Sequence, residues 1–128
     1  MPKTILIIED SKDIGGAMKL LIEMEGYDVA MATTGAAGLS LAEAGGIDLI
    51  LVDLALPDAS GIDVTRELRQ IPAVAGVPIL CVSSHTQGIE SVVRAAGCTE
   101  VFSKSTFIES FRSTLKRYLG DEALATHV

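Results

Sequence analysis

The sequence predicts a three-layer α/β/α fold, doubly wound around a five-stranded parallel sheet, and three observations carry that prediction. Short β-branched apolar runs recur five times along the chain. Stretches with apolar residues at helical spacing separate them, and each strand-plus-helix unit is close to the minimum length of a right-handed crossover. The first, third and fourth runs are nearly continuous hydrophobe rather than alternating, the pattern of strands covered on both faces.

The elements follow in order. Thr4 to Ile8 is the first strand, and Ser11 then starts a helix in which Ile14, Ala17, Met18 and Leu21 fall at i, i+3, i+4 and i+7, with Gly26 placed to stop it. Val29 to Ala32 is the second strand, and Ala36, Leu39 and Ala42 mark a small-residue helix closed by Gly45-Gly46. Leu49 to Val52 is the third strand. Ser60 and Asp63 then have capping-box spacing, with Asp where Glu or Gln is commoner, and open a helix through Val64 and Leu68. Pro78 to Ser83 is the fourth strand, and Ile89, Val92, Val93 and Ala96 make a fourth helix that ends at Gly97. Glu100 to Ser103 is the last strand. A second capping box, Thr106 with Glu109, starts the fifth helix, carried by Phe107, Phe111, Leu115 and Leu119. Residues 1–119 are expected to form one domain and 120–128 a short C-terminal tail, with no output domain.

Composition removes several function classes. A chain of 128 residues holds one ordinary core, and a net charge of −7 repels phosphate backbones and anionic lipid, against direct nucleic-acid or membrane binding. Cys81 and Cys98 form no C-x-x-C and have no histidine at zinc spacing, so they read as packing residues of a protein in a reducing cytoplasm. Four apolar residues, Ile5 to Ile8, are too few for a signal peptide or a membrane span. No strand is followed by a glycine-rich phosphate loop, which argues against nucleotide binding.

In open parallel sheets, ligands bind at the carboxyl ends of the strands. The residues just past those ends are Glu9-Asp10, Asp53, Ser83-Ser84 and Lys104. Three carboxylates converging on one mouth repel one another, so something cationic must sit among them. Lys104 supplies one charge, and the remainder suits a hard divalent ion that keeps several waters, which is Mg²⁺ behaviour. A metal, a nucleophilic carboxylate, a hydroxyl and an ammonium together meet the needs of phosphoryl transfer.

Over residues 3–119 the chain resembles a response-regulator receiver domain of two-component signalling, of the stand-alone type to which chemotaxis regulators belong. The carrying residues are I-L-I-I-E-D at 5–10, L-I-L-V-D-L-A-L-P-D-A-S-G at 49–61, P-I-L-C-V-S-S at 78–84 and V-F-S-K at 101–104. The resemblance implies a flavodoxin-like strand order 2-1-3-4-5. It makes Asp53 the phosphoacceptor for a histidine kinase or histidine phosphotransfer protein. Asp10 and Asp53 would hold Mg²⁺ with the backbone carbonyl of Ala55, and Glu9 would act directly or through water. Ser83 would bond the phosphoryl group, and Lys104 would pair with the acceptor carboxylate. The donor would dock on Ile14, Gly15, Met18 and Ser105. Output would be a protein contact at the fourth helix, fifth strand and fifth helix, or onward transfer, so the chain would be a phosphoacceptor that assists its own chemistry rather than an enzyme.

Two departures from the family pattern stand out. Lys104 is followed by Ser105 where the family keeps a proline on a cis bond; a cis bond before a non-proline costs about 2.5–4 kcal/mol, so a trans bond is expected. Val101 stands where an aromatic usually swings inward on activation, and Phe102 beside it points to the other face of a strand. The expected switch is therefore a hydroxyl shift at Ser83 with a quieter repacking near Val101. Ala55 and His85 occupy positions that tune dephosphorylation, and because Ala55 cannot orient an attacking water, a long-lived phosphoryl group is expected. Ala55 also argues against a haloacid-dehalogenase-type phosphatase, which wants a second Asp there. The remaining alternative is a phosphorylation-independent interaction module; Val101 and Ser105 favour it, and the five intact site residues oppose it.

Overall fold

The apolar runs become five parallel strands: β1 (Thr4–Ile8), β2 (Asp28–Ala32), β3 (Leu49–Val52), β4 (Ile79–Ser83) and β5 (Glu100–Ser103). Helices α1 (Lys12–Met24), α2 (Gly35–Ala44), α3 (Gly61–Leu68), α4 (Glu90–Ala95) and α5 (Lys104–Leu119) connect or follow them. This computed structural model describes residues 2–84 and 87–120. His85 and the tail beyond Gly120 lie outside the described residues.

Strand order is β2-β1-β3-β4-β5, as expected. The three runs that read as continuous hydrophobe are the three inner strands, where β3 and β4 are buried throughout, while the edge strands β2 and β5 are only partly covered. Strand alternation sends Leu6, Ile8, Ile50, Val52, Ile79 and Cys81 to the layer of Ala42, Val64, Leu68 and Val93. It sends Ile5, Ile7, Leu49, Leu51, Leu80 and Val82 to the layer of Met18, Ile22, Phe107 and Leu115. The same alternation separates Val101, packed against the first layer, from Phe102 in the second. Phe102 meets Phe107 edge-on at 5.7 Å, so it belongs to the α5 packing and does not stand in for an aromatic at 101.

Several expectations need correction. Helix α5 opens not at Thr106 but at Lys104, because Ser103 is the cap: its Oγ accepts from the Thr106 N–H at 3.2 Å and donates to Thr106 Oγ1 at 2.8 Å. Thr106 is thus the partner of the cap. Ser60 does cap α3, through the Ile62 N–H at 3.1 Å, but Asp63 pairs with Arg66 at 2.9 Å instead of reaching back. Strand β2 starts one residue earlier than expected and β4 one later, since Pro78 has no N–H for the ladder; its carbonyl still accepts from Ile50. A 3₁₀ turn at Pro72–Val74 was not anticipated. Both cysteines are free and buried, as expected of packing residues, and the bond to Cys98, followed by burial, pushes the Cys81 thiol up. Among the described residues no helix is long and apolar enough to cross a membrane, and no peptide bond is cis, Lys104–Ser105 included.

Candidate functional site

Parallel pairing delivers the carboxyl ends of β1, β3 and β5 to one edge of the sheet. The ladder holds the first residues beyond the strands: the Glu9 N–H donates to Ala32 O at 3.0 Å and the Asp53 N–H to Ile8 O at 2.9 Å. Glu9 and Asp53 are therefore buried, at 3% and 6% exposure, while Asp10 faces solvent. One oxygen from each of the three carboxylates lies within 4.8 Å of the others.

Lys104, the first residue of α5, places its ammonium between two of them, with Nζ 2.8 Å from Glu9 Oε1 and 3.3 Å from Asp53 Oδ2. Burial, followed by the neighbouring Asp53, pushes the Glu9 carboxyl up to about 7, against the pull of Lys104 and the Ser11 N–H. Burial by itself would lower the Lys104 ammonium, but its bond to Glu9 and the Asp53 charge outweigh that and raise it. One ammonium thus leaves the cluster short of positive charge. The donor set is all hard oxygen, with the exposed Asp10 giving access, and it fits a small divalent cation of the Mg²⁺ kind.

The segment from Asp53 to Gly61 shapes the rest of the mouth. The Ala55 N–H donates to Asp53 Oδ1 at 3.1 Å, which sets the Ala55 backbone against the Asp53 carboxylate. Ala55 and Ser60 form an antiparallel bridge, and the Gly61 N–H donates to Leu54 O at 2.9 Å. A Cβ on Gly61 would stand 2.3 Å from the Asp53 carbonyl oxygen, so only glycine lets α3 start this close. Asp58 closes the loop from outside, accepting from the Gly35 N–H at 2.8 Å and the Ala36 N–H at 3.0 Å. Sequence reasoning quoted both residues within the 49–61 motif but gave neither a role. A glycine in the first turn of a helix, where it costs helix propensity, was the signal for Gly61; Asp58, paired 22 and 23 positions away, gave none.

The other expected residues are distributed as follows. Ser83 ends β4, buried and in register with Ser103, while Ser84 is exposed. Val101 is half-buried on the same side of the sheet as Cys81. Ile14, Met18 and Ser105 line an open groove of about 530 Å³ between α1 and α5, with Lys104 at its edge. Gly15 does not share that surface: it is buried, and a Cβ there would meet Met31 Cε at 2.8 Å, so it serves the packing of α1 on β2 rather than a partner. Gly16, by contrast, faces open space.

Comparison with known proteins extends this geometry. The chain is 35% identical over 122 residues to the polar-differentiation response regulator DivK of Brucella anthropi, covering 94% of this chain and 99% of that protein. Chemotaxis protein CheY4 of Vibrio cholerae superposes with a TM-score of 0.87 at 25% identity, covering 93% of this chain and all of the other. The receiver domain of the sensor histidine kinase PA1611 of Pseudomonas aeruginosa, with a magnesium ion coordinated in its active-site cleft, superposes at 0.85 with 26% identity over 94% and 99% of the two chains. The family model of the response regulator receiver domain matches residues 5–116, nearly all of the sheet and its helices, and the chain belongs to that family of two-component signalling proteins.

Proposed function

We propose that this chain accepts a phosphoryl group on Asp53 from the phosphohistidine of a histidine kinase or histidine phosphotransfer protein, and signals by protein contact or onward transfer. The observation that carries this reading is the Lys104 ammonium held between Glu9 and Asp53 inside a three-carboxylate cluster. An Asp53 carboxylate oxygen attacks phosphorus, the P–N bond to the donor breaks, and the imidazole leaves with its electron pair and takes a proton. Lys104 neutralises charge on the phosphoryl oxygens, and the Ala55 N–H, already on Asp53 Oδ1, keeps the acceptor carboxylate oriented. Asp10, Asp53 and the Ala55 carbonyl would hold Mg²⁺, with Glu9 directly or through water; bound there, the ion neutralises oxygens of the transferring group. Ser83, buried at the end of β4, would donate to the new phosphoryl group, and its movement, with repacking at Val101, would be the switch. The α1/α5 groove of Ile14, Met18 and Ser105 receives the donor.

The test is intact mass after incubation with acetyl phosphate, with and without Mg²⁺, beside Asp53→Asn. A single phosphoryl adduct that needs Mg²⁺ and is absent from the variant is the expected result. No adduct, with beryllofluoride also leaving the spectrum of the folded protein unchanged, would favour the phosphorylation-independent interaction module, for which the aliphatic Val101 speaks.

A further inference from the structure

The loop that carries Asp53 and Ala55 is tied to a helix on which no site residue lies. Every helix start leaves four N–H groups without partners inside the helix, and in α2 three of them belong to its first turn, on Gly35, Ala36 and Ala37. Thr34, its cap, satisfies only one of them, the Ala37 N–H at 3.1 Å. The other two, on Gly35 and Ala36, point at the two carboxylate oxygens of Asp58. These bonds and the positive end of α2 hold the Asp58 carboxyl below the usual range although it is exposed. The approach is close enough that a Cβ on Gly35 would stand 2.8 Å from Val64 Cγ2 and 3.3 Å from Asp58 Oδ1.

We infer that Asp58 is a positioning residue for the cation site: by anchoring the crown of the β3–α3 loop to the start of α2, it fixes where the Ala55 peptide stands relative to Asp53. Among the described residues the loop is otherwise held at its base by the Ala55–Ser60 bridge, the Gly61 bond to Leu54 and the Ala55 N–H on Asp53, and along one side by Leu54, Leu56 and Ala59 packed on the first core layer, so Asp58 supplies the polar tie at its exposed crown. With Asp58 released, the crown swings about that base, and the Ala55 carbonyl, the atom the proposed cation site uses, loses its fixed place. Residues outside a metal's own ligand set that orient the ligands commonly change affinity by about tenfold or more.

The metal half of this inference rests on the proposed Mg²⁺ site, and the test separates the two. Asp58→Ala is compared with Thr34→Ala, which removes the other cap of the same helix without touching the loop. In metal-free protein, hydrogen exchange at the Ala55 and Gly61 amides is expected to speed up at least about threefold in Asp58→Ala and to stay at the wild-type rate in Thr34→Ala. Titration calorimetry with MgCl₂ is expected to show affinity reduced about tenfold in Asp58→Ala alone. Asp58→Asn, which keeps one acceptor oxygen, falls between and carries the test if the alanine variant fails to fold. Equal effects of Asp58→Ala and Thr34→Ala on both readouts would overturn the inference and leave Asp58 an ordinary helix cap. If wild-type protein binds no Mg²⁺, or Asp10→Asn binds it as well as wild type, the proposed site is wrong, and the exchange rates still decide whether Asp58 holds the loop.

Discussion

Replacing Glu9 by Gln removes a single titration whose size and sign the structure specifies. In the metal-free protein the Glu9 carboxyl sits at about 7 against an ordinary 4.5, driven by burial and the neighbouring Asp53. At about 1.4 kcal/mol per pKa unit this difference sets an upper bound of about 3 kcal/mol. The folded state binds this proton more tightly than the unfolded chain, so it holds more protons across the window from 4.5 to about 7. Stability therefore falls as pH rises through that window, and the full penalty is present only above it. The raised Lys104 ammonium adds stability that is lost only above its ordinary 10.5, outside the range. The depressed Asp58 carboxyl adds stability that is lost only as pH falls below its ordinary 3.8. The assay is urea denaturation in the presence of chelator, from about pH 5 to about pH 8, for wild type and Glu9→Gln. The difference between the two unfolding free energies cancels the groups that do not touch Glu9 and is expected to shift by up to about 3 kcal/mol in favour of the variant as pH rises. A difference that stays flat, or moves toward the wild type, would refute the reasoning. Mg²⁺ is expected to offset the wild-type penalty at the alkaline end, because a cation that binds only the folded cluster stabilises it by mass action.

Three further outcomes are expected. Lys104→Met leaves Glu9 and Asp53 without their shared ammonium, so the Glu9 carboxyl should rise above its wild-type position in a carboxyl-carbon NMR titration, and Asp53 phosphorylation, followed by intact mass over time, should slow by about a hundredfold. Gly61→Ala drives a Cβ to 2.3 Å from the Asp53 carbonyl oxygen and 2.6 Å from Leu54 Cα, all backbone, whereas in Gly38→Ala the obstacles are Cδ1, Cγ1 and Cγ2 of the buried Ile8 side chain at 2.5, 2.8 and 3.2 Å. Both are expected to cost about 1–3 kcal/mol in urea denaturation, with Gly61→Ala the larger, because the Ile8 side chain can shift within the core and the backbone around Asp53 cannot. Ala55 offers no polar group to an attacking water, so the phosphoryl group should persist for minutes or longer in a chase by intact mass, and Ala55→Asn should shorten its life; wild-type loss within seconds would contradict this.

The acidic cluster was legible because each of its members lies one or two residues beyond a strand end, and parallel strands deliver such residues to one edge whatever the helices do. Ser83 and Val101 were legible for the same reason of register, and the opposite facing of Val101 and Phe102 needed only strand alternation. The start of α5 was misplaced because two capping patterns overlap there, Ser103 with Thr106 and Thr106 with Glu109. Only the three-dimensional path of β5 selects Ser103. Gly15, read as part of a docking surface, proved to face Met31, since the periodicity that names a helix does not say which flank of it lies over the edge strand.

What the sequence determined by itself is whatever depends on local periodicity and strand ends: the layers, the inner and edge strands, and the residues gathered at the mouth. Tertiary structure alone decided the contacts between segments far apart in the chain. Asp58 reaches the start of α2, Gly61 admits α3 against the backbone of Asp53, and Lys104 divides its ammonium between two carboxylates. Those contacts have no sequence period, because a hydrogen bond or a close approach depends on distance in space, and that distance is set only when the crossovers have closed and the helices have packed on the sheet.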